Sequence, residues 1–195
     1  SFIGLLFLSP LLLLLALGIK LESNGPILFC QKRIGRYKKE FYILKFRTMR
    51  TDAPKDMPTH LLENPEIYIT RIGKILRKTS LDELPQLFNI LKGEMSFIGP
   101  RPERPEIIAQ YVEDMPEFVF RMKVKAGLAG YAQVYGKYNT TPYDKLKLDL
   151  AYIENYTVWL DIKLMLLTLK ILFKPESTEG IEGSQITAMR REEDK

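Results

Sequence analysis

The sequence is poor in the residues that much catalytic and redox chemistry requires. Its 195 residues include one cysteine, Cys30, and one histidine, His60. A lone cysteine excludes an internal disulfide and fits a reducing compartment, and no cysteine–histidine cluster suited to zinc is present. Ser-His and Cys-His catalysis both need an imidazole at a defined place, and His60 lies in a polar stretch. We interpret His60 as an ordinary surface residue.

The chain also lacks acidic residues relative to basic ones. It carries 29 Lys and Arg against 24 Asp and Glu, which gives a formal net charge of +5. At 46% hydrophobic and 27% charged residues, the composition excludes a disordered or collagen-like chain, and the length suits one compact domain. The excess of cations favours an anionic partner, which is nucleic acid, phosphate or an anionic lipid surface.

No charged side chain occurs in residues 1–19. As a helix, this segment is about 28 Å long, close to the ~30 Å hydrocarbon core of a bilayer. No positive region precedes it and no small-residue cleavage site follows, which argues against a signal sequence. Ser9-Pro10 at its centre predicts a kink, because proline removes a helical hydrogen bond and a serine hydroxyl can satisfy the freed carbonyl. A kinked span and a re-entrant hairpin are both compatible with this pattern.

Beyond Lys20, short β-rich runs alternate with segments of helical period. The helix that we predict at 79–93 has two candidate first residues. Ser80 with Glu83 fits a capping box, whereas Pro85 is typical of a first helical turn. In chain order we predict a hairpin from residues 27–33 and 41–48, a loop at 51–65, a basic amphipathic helix at 67–79, a second helix at 79–93, a buried strand at 95–99, a helix at 104–123 broken at Pro116, and a small-residue turn running into a strand at 127–134.

The apolar run at residues 146–174 carries Lys163, Lys170 and Lys174 on one side and is too charged to span a bilayer. Two interpretations are equally good, an interfacial helix whose lysines reach the head groups and a core helix of the domain. Together these patterns predict an α+β fold that is mainly helical, with a small β-hairpin or sheet.

Asp82 and Glu83 are adjacent carboxylates that follow a run of cations. Acidic residues are common in the first turn of a helix, where the dipole stabilises them, so a purely structural role is one interpretation. The other interpretation is catalytic. Because adjacent helical residues point about 100° apart, these two carboxylates take different roles more naturally than they share one metal as equivalent ligands.

Four cations in separate elements are predicted to converge on a phosphate: Lys45, Arg47, Arg77 and Arg101. Arginine suits bidentate binding of phosphoryl oxygens. A carboxylate among cations stays ionised and can attack phosphorus. A diphosphate substrate would also need Mg²⁺ to neutralise its charge and that of the leaving group.

Four strings in the same order resemble the monotopic phosphoglycosyl transferases, the bacterial sugar transferase domain. They are residues 44–49 (LKFRTM), 80–89 (SLDELPQLFN), 95–102 (MSFIGPRP) and 130–134 (GYAQV). The resemblance covers the chain to about Lys174. Residues 174–180 look like the larger members that serve exopolysaccharide or capsule assembly. The resemblance divides the chain into a re-entrant membrane helix at 1–23, a catalytic domain at 24–174 and a polar tail at 175–195.

The resemblance implies a reaction and a set of roles. Asp82 matches the nucleophile, which attacks the β-phosphorus of a UDP-sugar, releases UMP and forms a phosphosugar-aspartyl intermediate. Glu83 matches its assisting partner, and Mg²⁺ is expected at Asp82. Polyprenyl phosphate, such as undecaprenyl phosphate, then attacks the intermediate in a ping-pong route. The phosphate or substrate-binding positions are Lys45, Arg47, Arg77, Arg101, Gln133 and Lys137.

Further expectations follow from the same resemblance. Ser9-Pro10 matches the break of the re-entrant helix, and interfacial amphipathic helices accompany it. The chain is expected at the bacterial cytoplasmic membrane with its catalytic domain on the cytoplasmic face, in contact with lipid and able to form a homodimer. The chain departs from the family pattern at two places: Lys125-Ala126-Gly127 replaces Arg-Pro-Gly, and Lys137 replaces a frequent arginine. Both changes keep the positive charge but lose the planar guanidinium fork of arginine.

Three other functions compete with this one. A non-catalytic basic module bound to anionic lipid predicts that Asp82→Asn changes no activity. A nucleic-acid-binding protein is disfavoured by the apolar opening and by the lack of stacking aromatics among the basic runs, so no nucleic-acid partner is expected. A two-carboxylate glycosidase is disfavoured because adjacent Asp82 and Glu83 are poorly placed to flank a glycosidic bond.

Overall fold

The computed structural model describes residues 1–54, 64–136 and 140–172. His60, Lys137 and the predicted tail at 175–195 lie outside this part of the chain. The described part is mainly helical, with two small sheets, as the sequence predicted. Its helices and strands are α1 (Phe2–Glu22), β1 (Leu28–Ile34), β2 (Glu40–Phe46), α2 (Arg71–Thr79), α3 (Gln86–Leu91), β3 (Met95–Ile98), α4 (Pro105–Asp114), β4 (Ala126–Ala129), α5 (Tyr131–Tyr135), α6 (Pro142–Asn155) and α7 (Val158–Leu172).

The chain divides into two compact units. The first unit contains the described residues of Ser1–Gln31 and Ile43–Gly93, with the end of α7 from Lys170. The second unit contains the described residues of Lys32–Tyr42 and Glu94–Leu169. The boundary between the units falls within the β1–β2 hairpin, so the tip of the hairpin belongs to the second unit.

The predicted hairpin is confirmed. Strands β1 and β2 pair with each other and are joined by five residues, which is far too short for a parallel crossover, so the pair is antiparallel. The Gly35 amide donates to the Lys39 carbonyl at 2.8 Å and closes the turn. Tyr37 and Lys38 take positive φ values of 57° and 61° inside it, a conformation that is uncommon for residues other than glycine.

Helix α1 continues through Pro10. Pro10 has no amide hydrogen for the carbonyl of Leu6, and the Ser9 hydroxyl donates to that carbonyl at 2.8 Å. The hydroxyl therefore replaces the hydrogen bond that proline removes. The second half of α1 packs on the first unit through positions at helical spacing (Leu12, Leu15, Ala16 and Ile19), which meet Phe46 and Leu76.

The region after residue 65 differs from the prediction at two helix boundaries. Helix α2 begins at Arg71, because residues 65–67 form a separate 3₁₀ turn and Thr70 caps α2. The predicted capping box at Ser80 is wrong. Ser80 adopts a left-handed conformation (φ 54°) that ends α2, and a 3₁₀ turn at Leu81–Glu83 follows. The alternative start is confirmed, since Pro85 is the N-cap of α3.

Strands β3 and β4 form a parallel pair in the second unit, with Met95 opposite Ala126 and Ile98 opposite Ala129. The strand predicted at 95–99 and the helix break near Pro116 are confirmed. The strand predicted to follow the glycine turn is wrong. The strand precedes the turn, and α5 follows it, because the Gly130 carbonyl accepts the amides of Gln133 and Val134 and begins a helix there.

The predicted single helix at 146–174 is two helices, α6 and α7. The break lies at Tyr156-Thr157, where the Thr157 hydroxyl accepts the Leu160 amide and caps α7. Tyr152 and Leu164 are buried in the core of the second unit with Ile98 and Ala129. The core interpretation is therefore confirmed for these positions. Several apolar side chains of the same region are more than half exposed, namely Tyr156, Val158, Trp159, Leu166 and Leu169.

Candidate active site around Asp82 and Glu83

Asp82 and Glu83 lie in the 3₁₀ turn between α2 and α3, and both are half-buried. The left-handed Ser80 turns the chain immediately before them, and the Glu83 amide donates to the Ser80 carbonyl at 3.2 Å. Both carboxylates thus stand on a short turn between two helices, not in the first regular turn of a longer helix. Asp82 and Glu83 interact with different cations, Glu83 with Lys45 and Asp82 with Arg77.

Glu83 pairs with Lys45, one of the predicted phosphate-binding cations. The Lys45 ammonium lies 2.7 Å from a Glu83 carboxylate oxygen, and the two side chains are 20% and 17% exposed. Lys45 is fixed by its strand, because the Leu44 amide of β2 donates to the fully buried Asn89 amide oxygen on α3. The pair orients the Glu83 carboxylate.

Arg77 faces Asp82 electrostatically. Its Nε donates to the Thr48 hydroxyl at 2.9 Å, which anchors the guanidinium to the end of β2. Burial lowers the pKa of Arg77 from its ordinary value, and the nearby carboxylates of Asp82 and Glu66 raise it. The guanidinium remains a cation beside the Asp82 carboxylate. The first unit therefore brings together Asp82, Glu83, Lys45 and Arg77.

Arg47 has a structural role that the sequence did not predict. Its side chain is 6% exposed, and its two Nη atoms donate to the Ser23 carbonyl and hydroxyl and to the Asn24 carbonyl, at 2.7–3.0 Å. These acceptors follow the end of α1. The guanidinium thus joins β2 to the end of the apolar helix. Its predicted contact with a substrate phosphate stays a prediction.

Glu22 is a second structural residue that sequence reasoning missed. Its carboxylate accepts the amides of Arg71 and Ile72 at 2.6 and 2.9 Å, the Thr70 hydroxyl accepts the Gly73 amide, and the Thr70 amide itself donates to the Thr48 carbonyl. All four free amides of the helix start are satisfied, and a carboxylate is favourable at this end of the dipole. No local signal could have shown this contact, because Glu22 and Arg71 are 49 residues apart.

The remaining predicted residues lie in the second unit or outside the described chain. Arg101 is half-buried and lines a cavity there, and its carbonyl accepts a hydrogen bond from Arg121 at 3.0 Å. Gln133 is exposed on α5. The backbone is closely packed near these two residues: the space above Gly127 is filled by Gly99, whose amide nitrogen would lie 2.1 Å from an added Cβ. The convergence of Arg101 with Asp82 stays a prediction.

The donor atoms around Asp82 fit one mode of Mg²⁺ binding. Within residues 1–54, 64–136 and 140–172, no group of three or more His, Cys, Asp or Glu side chains could hold a metal. The Glu83 carboxylate is paired with the Lys45 ammonium. Mg²⁺ is commonly held by one or two carboxylates together with substrate phosphates and water. Asp82 therefore suits an ion that is bound mainly by a diphosphate.

These features define a class, an α+β protein with an exposed apolar helix and a half-buried carboxylate turn among cations. The profile of the bacterial sugar transferase family matches residues 1–175. The chain belongs to that family.

The chain is similar in sequence to several named proteins. The chain is 46% identical to the undecaprenyl-phosphate glucose phosphotransferase of Komagataeibacter xylinus over 87% of its own length and 34% of that protein's. It is 40% identical to a UDP-N-acetylgalactosamine-undecaprenyl-phosphate N-acetylgalactosaminephosphotransferase of Aeromonas hydrophila, over 84% of the chain and 39% of that protein. An uncharacterized sugar transferase of Bacillus subtilis is 38% identical, with 88% and 81% covered. The chain thus spans about a third to two fifths of the first two relatives.

Proposed function

We propose that this chain is the catalytic part of a phosphoglycosyl transferase. It moves a phospho-sugar from a UDP-sugar to undecaprenyl or another polyprenyl phosphate, as the first membrane step of exopolysaccharide, capsule or glycoconjugate assembly. The products are UMP and a polyprenyl-diphosphate-sugar. The observation that carries this proposal is the half-buried Asp82–Glu83 turn, in which one carboxylate is paired with Lys45 and the other faces Arg77.

The proposed reaction has two displacements at one phosphorus atom. In the first, an Asp82 carboxylate oxygen attacks the β-phosphorus, the bond between that phosphorus and the bridging oxygen breaks, and UMP leaves. The product is a phosphosugar-aspartyl intermediate, a mixed anhydride. In the second, an oxygen of polyprenyl phosphate attacks the same phosphorus and the aspartate oxygen leaves as a carboxylate. Asp82 is regenerated, and no oxidant or external proton source is consumed.

The surrounding residues of the first unit have distinct tasks in this scheme. Arg77 lies beside Asp82 and would stabilise the phosphoryl oxygens as negative charge shifts to the leaving UMP. Lys45 holds Glu83 at 2.7 Å, so Glu83 is oriented next to the nucleophile instead of competing with it. When bound at Asp82 and the diphosphate, Mg²⁺ would supply charge neutralisation for the substrate and the leaving group. Arg101, Gln133 and Lys137 are proposed to complete the substrate site.

The apolar helix is proposed to anchor this site at the membrane. Among the described residues, α1 is the helix long and apolar enough to cross a bilayer, and 6% of its most apolar window is buried. Its packed second half and exposed first half suit a helix that enters lipid with residues 2–11. We propose that α1 bends at Pro10 and returns to the same face, and that the exposed side chains of α7 lie at the interface. The location is the cytoplasmic face of the bacterial inner membrane.

The topology has a direct test. In a background with Cys30→Ser, single cysteines replace Phe2 and Asn24 on either side of α1. A re-entrant helix leaves both positions reactive to a membrane-impermeant thiol reagent from the cytoplasmic side. A spanning helix makes Phe2→Cys reactive only from the opposite side. The variant Pro10→Ala, which restores the missing amide, should shift the labelling toward the spanning pattern if the bend depends on proline.

The covalent step is tested by intact-mass analysis. The protein is incubated with a panel of UDP-sugars and Mg²⁺ in the absence of a lipid acceptor. One UDP-sugar should add the mass of a phosphosugar, and Asp82→Asn should abolish the adduct. The matched control is Asp52→Asn, which removes an exposed carboxylate of the same type paired with Arg50. An adduct in Asp82→Asn, or none with any donor in the unaltered protein, would contradict the aspartyl mechanism.

A further inference from the structure

The segment that carries Arg101 is held unusually firmly in the second unit. Its residues are Pro100, Arg101, Pro102 and Glu103, and it lies outside the helices and strands. The four consecutive carbonyl oxygens of residues 100–103 each accept a hydrogen bond from a different donor. In chain order the donors are the Gly127 amide (3.0 Å), the Arg121 Nη2 (3.0 Å), the Arg33 Nη1 (3.1 Å) and the Ile34 amide (3.1 Å).

Arg121 is the deeply buried side chain among these donors. It is 3% exposed, and its Nε and Nη2 donate to one oxygen of Asp149 at 3.0 and 2.6 Å. The same Nη2 donates to the Arg101 carbonyl, and Nη1 lies 3.8 Å from Glu103. The ring of Phe118 lies beneath the guanidinium at 4.7 Å. One rigid planar group therefore contacts the backbone of Arg101 and the side chain of Glu103 at once.

The acidic partners of Arg121 are themselves anchored. Glu103 accepts the Lys145 ammonium at 2.6 Å, and Arg33 lies 3.8 Å from its second oxygen. Glu103 and Asp149 have side chains that are 12% and 2% exposed. Removing such charges from water is costly unless every partner is present, so the network has little freedom to rearrange. Its position directly under residues 100–103 transfers this rigidity to the segment.

We propose that Arg121 is a positioning residue for Arg101: by donating to the Arg101 carbonyl while locked to Asp149, it fixes the backbone from which the Arg101 side chain reaches the substrate. This inference rests on the proposed function, in which Arg101 holds a phosphate group. Lysine cannot substitute, because a single ammonium lacks the planar fork that serves Asp149 and a carbonyl simultaneously. Geometric errors of this kind can reduce turnover by about a hundredfold even when the altered residue lies away from the reacting atoms.

A double-mutant cycle separates positioning from general stability. Four proteins are compared, the unaltered chain, Arg121→Lys, Arg101→Ala and the double variant, by release of UMP from the UDP-sugar. Arg121→Lys should lower kcat/KM at least about tenfold, mainly through a higher KM for the donor. In the Arg101→Ala background the same substitution should have almost no further effect, because the side chain that it positions is gone.

The matched control is Arg36→Lys. Arg36 is also an arginine that donates to a backbone carbonyl, but it is exposed and its acceptor is the Lys123 carbonyl at 3.2 Å, not a carbonyl of residues 100–103. It should keep kcat/KM within about twofold of the unaltered protein, as surface substitutions usually do. If Arg121→Lys does not fold, Asp149→Asn serves in its place, because it leaves the guanidinium but removes its anchor, and the same loss of kcat/KM is expected.

A second measurement is independent of turnover. Hydrogen–deuterium exchange at the Gly127 amide, which donates to the Pro100 carbonyl, reports opening of the segment. Exchange should be faster in Arg121→Lys and unchanged in Arg36→Lys. If the unaltered protein releases no UMP from any UDP-sugar, the proposed function fails and the exchange result alone decides whether Arg121 holds the segment. Equal losses of kcat/KM in both backgrounds, or unchanged exchange, would overturn the positioning role.

Discussion

Two groups of charged side chains, one in each unit, differ in burial. In the first unit the side chains of Lys45 and Glu83 are about one fifth exposed, and half-buried Arg77 on α2 interacts electrostatically with half-buried Asp82 on the following turn. In the second unit Arg121 and Asp149 are almost completely buried. Charges that must meet a substrate need access to solvent, whereas sealed charges can act only on the protein around them. Under the proposed function, we therefore expect the first set to act on the substrate and the second to hold the protein backbone in place.

The largest expected effect tests the chemical half of this comparison. Asp82→Asn should lower the rate of UMP release at least about a thousandfold, because the amide cannot form the acyl phosphate intermediate. Its thermal unfolding temperature should stay near that of the unaltered protein, since Asp82 is half-buried on a turn. Steady-state assay together with calorimetry measures both. Normal turnover in a folded variant would show that Asp82 is not the nucleophile.

The next effect tests the structural half. Asp149→Ala leaves the buried Arg121 guanidinium without its main partner and should cost about 3–5 kcal/mol of unfolding free energy. Glu83→Ala, which breaks the less buried pair with Lys45, should cost less than Asp149→Ala, because solvent partly screens the ammonium left behind. Urea-induced unfolding in detergent solution measures both variants. Equal costs would show that the difference in burial between the two units has no energetic counterpart.

A smaller effect concerns acid stability. Burial favours the protonated form of Glu103, but Lys145, Arg121 and Arg33 outweigh it and lower the pKa to about 2. A depressed carboxyl pKa stabilises the fold above its unfolded value of about 4.5, and this stabilisation is lost as the pH falls toward 2. Burial raises the pKa of Asp149, which opposes part of the loss.

The measurement is the free energy of unfolding between pH 6 and pH 2. It should decline most steeply below about pH 4.5, and Lys145→Gln should flatten the decline because Glu103 loses its nearest cation. Lys147→Gln is the matched control, since Lys147 is exposed on the same helix and its ammonium lies over the Tyr143 ring. A decline of the same slope in Lys145→Gln and the control would mean that Glu103 does not set the acid limit.

The smallest effect tests the joint between the apolar helix and α2. Glu22→Ala removes the carboxylate that accepts the first two amides of α2 and should cost about 1 kcal/mol of unfolding free energy. Glu66→Ala is the control, because Glu66 is an exposed acid near the same helix start that pairs with Lys74. Equal stability of the two variants would show that the cap contributes nothing measurable.

The sequence was sufficient for features that are encoded locally. The hairpin, the strand at Met95–Ile98, the apolar helix and the carboxylate turn follow from short patterns, and the four strings identified the family. Ser80 shows where local reasoning failed. Its spacing to Glu83 matches a capping box, but Ser80 adopts a left-handed backbone conformation that ends the preceding helix. The pattern of side-chain types does not predict this backbone angle φ.

The features that the sequence could not show are contacts between distant residues. Glu22 reaches α2 across 49 positions, and Arg121 meets Asp149 across 28. An isolated glutamate or arginine has no periodicity or motif that predicts its partner, and buried ion pairs are uncommon enough that composition suggests exposure. These long-range contacts fix the elements on which the predicted site residues stand.

The most direct test of the central claim is the identity of the transferred phosphorus. UDP-sugar is labelled with ³²P at either the α- or the β-position, mixed with the protein and Mg²⁺ without lipid acceptor, and quenched within one turnover. The proposed mechanism predicts protein-bound label only from the β-position, in a peptide containing Leu81–Glu83, with α-label recovered as UMP. Label from the α-position, label elsewhere in the chain, or UMP release without bound label would contradict it.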